Sequence, residues 1–327
     1  KLVSEGELTE QEAERLKGLA VTGKAVSVIV NLLCIFGALA LAAGVVALKP
    51  DPSTGLFLAI IALGIAGFVR FNAFEEWKVL GDGMAIAGTF GLCGWFGLEF
   101  GDGLNGMLTN TILTLITLAS TIIFRNAFLA AFIPLGIGAI LGSGTAYWHA
   151  SYGLFVREAT VTVVVFTIIA ILLYMLLERI RKSGYSLWET VVLIPARVSF
   201  FMINFGFWVG SLWGDWVGEY FRFAETYDYE KRNAWRETAF HINEVWFSLG
   251  WAAFLGVAIV WGLKKHNRFV TNTAIVFLAI HFYTQFHEFF GFNPGTLVMG
   301  GIFLLACSVG LYRFDRMQTA KTKNLLS

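Results

Sequence analysis

The chain has 327 residues, of which 57% are hydrophobic and 14% charged, with a formal net charge of +1. A soluble globular chain carries roughly 25% charged residues, so this composition excludes a soluble enzyme or carrier and defines an integral membrane protein. Near-neutral charge, with basic residues only in short clusters beside apolar runs, excludes nucleic acid as a partner.

Lys1 is not an initiator methionine, so residues are expected to precede it or to have been processed away. Thr9-Glu10-Gln11-Glu12 fits a capping box, in which Thr9 accepts from the Glu12 N–H and Glu12 reaches back to that of Thr9. A short amphipathic helix is therefore predicted over residues 1–24, with Ala13, Leu16 and Ala20 on one face. It suits the bilayer surface or the inner loops, or the docking of a partner.

About ten spans follow, each near the ~20 apolar residues that cross a hydrocarbon core of ~30 Å. They are placed at 25–47, 56–71, 83–100, 104–124, 127–148, 159–178, 188–212, 242–263, 269–290 and 296–312. The first run exceeds a signal-peptide core in length and reads as a retained anchor. With the N-terminus inside, the inner segments hold 17 of the 24 Lys and Arg, the outer loops hold six, and Arg197 lies within a span. This asymmetry places both termini in the cytoplasm. The expected fold class is an all-α polytopic transmembrane helix bundle, with residues 25–312 as the membrane domain and 313–327 as a basic cytoplasmic tail.

The one long loop, 214–241, falls on the outer side. Trp216, Tyr220, Phe223 and Tyr227 recur there at helical spacing, with Asp215, Glu219, Arg222 and Glu225 elsewhere on the wheel. That pattern predicts an amphipathic helix lying in the outer interface, as an anchor or as a lid or docking surface.

The two ends of the chain resemble a known family. The opening KLVSEGELTEQEAERLKGLA is similar to the short cytoplasmic helix that precedes the first span in the bacterial membrane family called domain-of-unknown-function 2157. The ending, FSLGWAAFLGVAIVWGLKKHNRFVTNTAIVFLAIHF through GTLVMGGIFLLACSVGLYRFDR, is similar to that family's closing three spans. The resemblance covers roughly a third of the chain and does not include the aromatic loop. It implies a multi-pass protein of the bacterial cytoplasmic membrane and brings no activity or functional residue.

Polar residues inside spans carry a cost, so each requires a reason. Asn110, Thr114, Thr117 and Thr121 form one stripe on the fourth span. The stripe suits a solute path, or hydroxyls bonded back to i−4 carbonyls at a close helix contact. Arg197, two residues after Pro195, suits snorkelling to the inner headgroups or a buried cation paired with Glu244 or Glu178.

In the segment HFYTQFHEFFGFNPG, His281, Gln285 and Glu288 share one helix face, while His287 sits on another. Two histidines six residues apart cannot ligate one ion from a regular helix. His149, His241 and His287 fall at the outer level with several carboxylates, a weak candidate set for a metal or a haem. The cysteines, Cys34, Cys93 and Cys307, are dispersed and lack C-x-x-C spacing.

No nucleophile-elbow or phosphate-loop motif occurs, so catalysis has no signature and no cofactor is strongly indicated. Three functions from different classes remain. The first is a non-catalytic scaffold or accessory subunit packed against a membrane partner and lipid. The second is a small-solute or ion transporter with a five-plus-five inverted repeat, hinted at by VRFNAFEEW at 69–77 and FRFAETYDY at 221–229. The third is an outer-face metal- or haem-binding protein.

Overall fold

The structure is a computed structural model that describes residue 9 and residues 30–72, 74–101, 103–148, 151–223, 228–291 and 293–326. The helix predicted over residues 1–24 lies outside the described residues, apart from Thr9. Among the described residues eight helices are long and apolar enough to cross a membrane. Large apolar side chains such as Phe57, Phe68, Leu172 and Val257 are exposed along them. Exposed apolar area on this scale marks surfaces that meet lipid or other protein rather than water.

The chain forms two compact units, Lys1–Ile140 with Leu173–Pro195, and Leu141–Leu172 with Ala196–Ser327. The first unit begins with α1 (Val30–Leu48), α2 (Pro52–Phe71) and α3 (Lys78–Phe100). Asp51 caps α2 by accepting from the Ser53 N–H at 2.8 Å, and Pro52 occupies the first turn, where its missing N–H costs nothing. Asn31 of α1 is buried and ties α1 to the start of α3, donating to the Glu76 carbonyl and accepting from the Leu80 N–H, both at 2.8 Å. α2 packs extensively against α3. The contact depends on Gly88, where a Cβ would stand 2.7 Å from Leu63 Cγ and 3.0 Å from the Ala59 carbonyl oxygen. Small residues let helix backbones approach in this way.

Next come α4 (Gly106–Phe124) and α5 (Ala127–Ile140). Arg125 closes α4 in a left-handed conformation, and Asn126 starts α5 by accepting from the Phe128 and Leu129 N–H groups. Here the expected span 127–148 needs correction. α5 ends after 14 residues, about 21 Å at about 1.5 Å per residue, short of a ~30 Å core. The remainder is a β-hairpin, β1 (Ser143–Trp148) with β2 (Ser151–Val156), paired antiparallel from Ser143↔Val156 to Trp148↔Ser151. Aromatic and β-branched residues give these segments strand propensity, while their apolar content mimics a span.

Beyond β2, α6 (Ala159–Ser183) and α7 (Ser186–Trp213) each pass through both units, and α7 crosses the boundary after Pro195. The second unit continues with β3 (Asp215–Trp216), α8 (Glu219–Phe223), α9 (Tyr229–Arg236) and β4 (His241–Ile242), where β3 pairs with β4. This replaces the single amphipathic helix expected over 214–241: Trp216 lies in a strand and Tyr220 and Phe223 in a separate short helix, while Tyr227 lies outside the described residues. Asp228 interrupts the pattern by capping α9, accepting from the Lys231 N–H at 3.0 Å.

The chain closes with α10 (Glu244–Lys264), α11 (Arg268–Phe290) and α12 (Pro294–Leu326). The core of this unit is aromatic. Trp251 is fully buried and donates to Asn204 Oδ1 at 3.0 Å, its ring packs on Phe277, and Phe201 and Phe205 pack on Phe277 in turn. α12 does not stop at the expected span end near residue 312 but runs as helix to Leu326. Residues 313–326 contain no Gly or Pro and are rich in helix formers, so nothing in them terminates the helix.

Candidate functional site

The polar residues converge in the second unit, where α6 begins and α7 ends. Glu158, immediately before α6, is 0% exposed. Its backbone carbonyl accepts from the Thr162 N–H and starts the helix, while its carboxylate turns to the loop after β3. Oε2 accepts from the Gly218 N–H at 2.8 Å and Oε1 from the Tyr220 N–H at 2.7 Å. In return Asp215, 5% exposed, accepts from the Thr160 N–H at 2.8 Å and so caps α6 from across the fold. Two carboxylates thus lock the α6 start and the α7 exit to each other.

Glu219, 7% exposed, faces the other way. Arg236 donates to both of its oxygens from Nε and Nη2 at 2.8 Å, and Arg232 donates to it from Nε. Paired and hydrogen-bonded on both oxygens, this carboxylate tolerates its burial. The Arg236 guanidinium also lies 5.6 Å from the centre of the Trp216 ring, and Trp216 in turn sits against His241 at 4.1 Å. Arg157 is exposed, with its guanidinium 5.6 Å from the Tyr220 ring centre and 5.7 Å from that of Phe155. The Tyr220 ring packs on Gly142, whose φ of +76° suits glycine and whose Cβ, if present, would come within 2.9 Å of the ring.

These groups enclose a pocket of about 660 Å³. Arg157, Arg232, Arg236, Trp213, Tyr220 and Tyr229 form much of its wall. Burial pushes the carboxyls of Glu158 and Asp215 above the ordinary carboxylate range. For Glu158 the Gly218 and Tyr220 N–H groups oppose that shift, while the charges of Asp215 and Glu219 add to it. For Asp215 the bonds from Thr160 oppose it and Glu219 adds to it.

The candidates read from sequence lie elsewhere. On α4 the Thr114, Thr117 and Thr121 hydroxyls donate to the carbonyls of Asn110, Leu113 and Thr117 at 2.7, 2.9 and 2.8 Å. The Asn110 amide donates to the Ala139 carbonyl of α5, and Gly136 of α5 abuts Thr114. The stripe is therefore engaged in helix bonds and in the α4–α5 contact. Arg197 places its guanidinium 4.7 Å from the Phe269 ring centre, so its described partner is an aromatic face.

His281, Gln285 and Glu288 line a groove of about 720 Å³ together with Ser211 of α7 and Glu244 of α10. The His281 ring lies 4.9 Å from Trp251, and His281 Nδ1 and Gln285 Nε2 are buried without a hydrogen-bond partner among the described residues. His287 is not on that groove: it is buried against Tyr283, ring centres 4.4 Å apart. His241 stacks on Trp216, and His149 lies outside the described residues. Among the described residues no group of three His, Cys, Asp or Glu side chains could hold a metal ion.

Sequence reasoning missed the Glu158–Asp215–Glu219 system. A signal was present, since Glu158 directly precedes an apolar run and Asp215 directly follows one. Those are the positions where helix ends need side-chain partners.

Fold and site together define a helical multi-pass membrane protein with a structured polar cap in its second unit. No family model, curated protein or solved structure matches the chain.

Proposed function

We propose that the chain is a non-catalytic accessory or scaffold component of a bacterial cytoplasmic membrane, working by binding through its cap. The resemblance to the domain-of-unknown-function 2157 family favours the bacterial location, and the loss of 127–148 as a crossing leaves the side of the cap to be set by labelling rather than by the Lys and Arg count. One observation carries the reading. The carboxylates of the cap hold backbone and guanidinium groups in place around a 660 Å³ pocket, an arrangement suited to recognition. A partner membrane protein would meet this cap and the exposed apolar faces below it.

Purification of the full chain in mild detergent should retain a partner protein at fixed stoichiometry. Recovery as a solitary, monodisperse chain would overturn the accessory reading.

Transport is the second reading, favoured by the unpartnered His281 Nδ1 and Gln285 Nε2 beside the second groove. It predicts solute or ion flux in liposomes that falls on Gln285→Leu, and a flux indifferent to that change would sink it.

A further inference from the structure

The wall of the cap pocket sets three guanidinia, of Arg157, Arg232 and Arg236, among three carboxylates, of Asp215, Glu219 and Asp228, each of which is engaged away from Arg157. Glu219 is shared by two guanidinia, those of Arg232 and Arg236. Asp228 is paired with Lys231 at 2.9 Å. Asp215 spends an oxygen on the Thr160 N–H, and Glu158, behind the wall, spends both on Gly218 and Tyr220. Arg157 is left with no carboxylate among the described residues, and its two described contacts are ring faces. An arginine stacked on aromatic rings keeps its N–H edge free to donate, and its planar fork matches the oxygens of a phosphate.

The surroundings say what the phosphate is attached to. Trp213, the last residue of α7, lines the pocket and is 70% exposed, and Tyr229 on the same wall is 67% exposed. Tryptophan and tyrosine at the end of a span belong at the depth of lipid headgroups. A ligand at that level presents its charge to the guanidinia and its apolar part to the aromatic rim and the bilayer.

We infer that the cap pocket binds a phosphate-bearing headgroup, with Arg157 as the principal contact, Arg232 and Arg236 completing a three-arginine ring, and Trp213 and Tyr229 receiving the apolar stem. The ring is preorganised from beneath. Glu158 fixes the backbone of Tyr220, Tyr220 rests on Gly142 and carries Arg157, and Glu219 orients the other two arginines. This inference shares with the accessory reading only the assignment of the cap as a binding surface.

The test uses the full chain in phosphatidylcholine nanodiscs doped with phosphatidylglycerol, with bound lipid read by native mass spectrometry. A second arm titrates inorganic phosphate into the detergent-purified chain by calorimetry. Retention of phosphatidylglycerol over phosphatidylcholine, weakened about tenfold or more by Arg157→Gln, is expected for the loss of one charge-assisted contact. Arg222→Gln removes a positive charge from the same cap but not from the pocket wall, and should leave binding unchanged. Phosphate binding in the second arm alone, lost in Arg157→Gln, would support the phosphate chemistry and assign it to a soluble source.

Three results would overturn the inference: no phosphatidylglycerol preference together with no phosphate binding, equal binding by wild type and Arg157→Gln, or an equal loss in Arg222→Gln. Thermal unfolding of each variant checks folding. A partner protein retained by a chain that binds no phosphate would sink this inference alone, whereas phosphatidylglycerol binding by a solitary chain would sink the accessory reading alone.

Discussion

The α4 stripe and the cap solve the same problem in opposite ways. Thr114, Thr117 and Thr121 satisfy their hydroxyls within one helix, four residues back, and the neighbouring helix approaches over Gly136. Glu158 and Asp215 instead bond to backbone 55 to 62 residues away. Local satisfaction leaves a span self-sufficient and its polar atoms occupied. Long-range satisfaction makes the cap a fold of its own, ordered by buried carboxylates where the spans are ordered by apolar and glycine contacts.

This contrast can be broken at graded points. The largest effect is expected from Glu158→Ala, which strips the acceptor from two half-buried N–H groups at up to about 1–3 kcal/mol each. Thermal unfolding should register it, with the change centred on the cap. Gly88→Leu should come next. It forces a side chain against Leu63 and the Ala59 carbonyl, at a cost of about 1–3 kcal/mol for overpacking, and should loosen α2–α3 without disturbing the cap.

Asp215→Asn should cost about 1 kcal/mol as a weakened helix cap, and it carries a pH signature. The folded-state pKa values of Glu158 and Asp215 lie above their ordinary values of 4.5 and 3.8. Their contribution to stability is therefore complete below those ordinary values and is lost as pH rises through the raised ones. Cap stability followed at the Thr160 amide should fall over that rise in the wild type and fall less in Asp215→Asn. Smallest of all is Thr117→Val, which removes one intrahelical bond and a 4.0 Å contact with Cys93 Sγ of α3 and should cost under about 1 kcal/mol. A large loss of stability there would show that the stripe does more than satisfy itself.

What was legible in the sequence follows the same division. Span positions depend on the length of apolar runs, so 188–212 and 269–290 fall within two residues of the observed Ser186–Trp213 and Arg268–Phe290. The run 127–148 misled because hydropathy does not separate a short helix plus hairpin from a single span. Only the left-handed Gly142 and the strand propensity of Thr145, Tyr147 and Trp148 mark the break. Helical periodicity at Trp216, Tyr220 and Phe223 likewise says nothing of the strand pairing of Trp216 with His241. The site was the least legible part. A bond from Glu158 to Tyr220 spans 62 residues, and no local pattern encodes it. By contrast, the separation of His281, Gln285 and Glu288 from His287 was readable because it is a property of one helix.

The most direct test of a cap built on its own carboxylates is hydrogen exchange at the Gly218 and Tyr220 amides in the full chain held in a bilayer. The account predicts slow exchange in the wild type and fast exchange in Glu158→Ala, with the α4 amides unchanged between the two. Fast exchange at both amides in the wild type, or protection that survives Glu158→Ala, would contradict it.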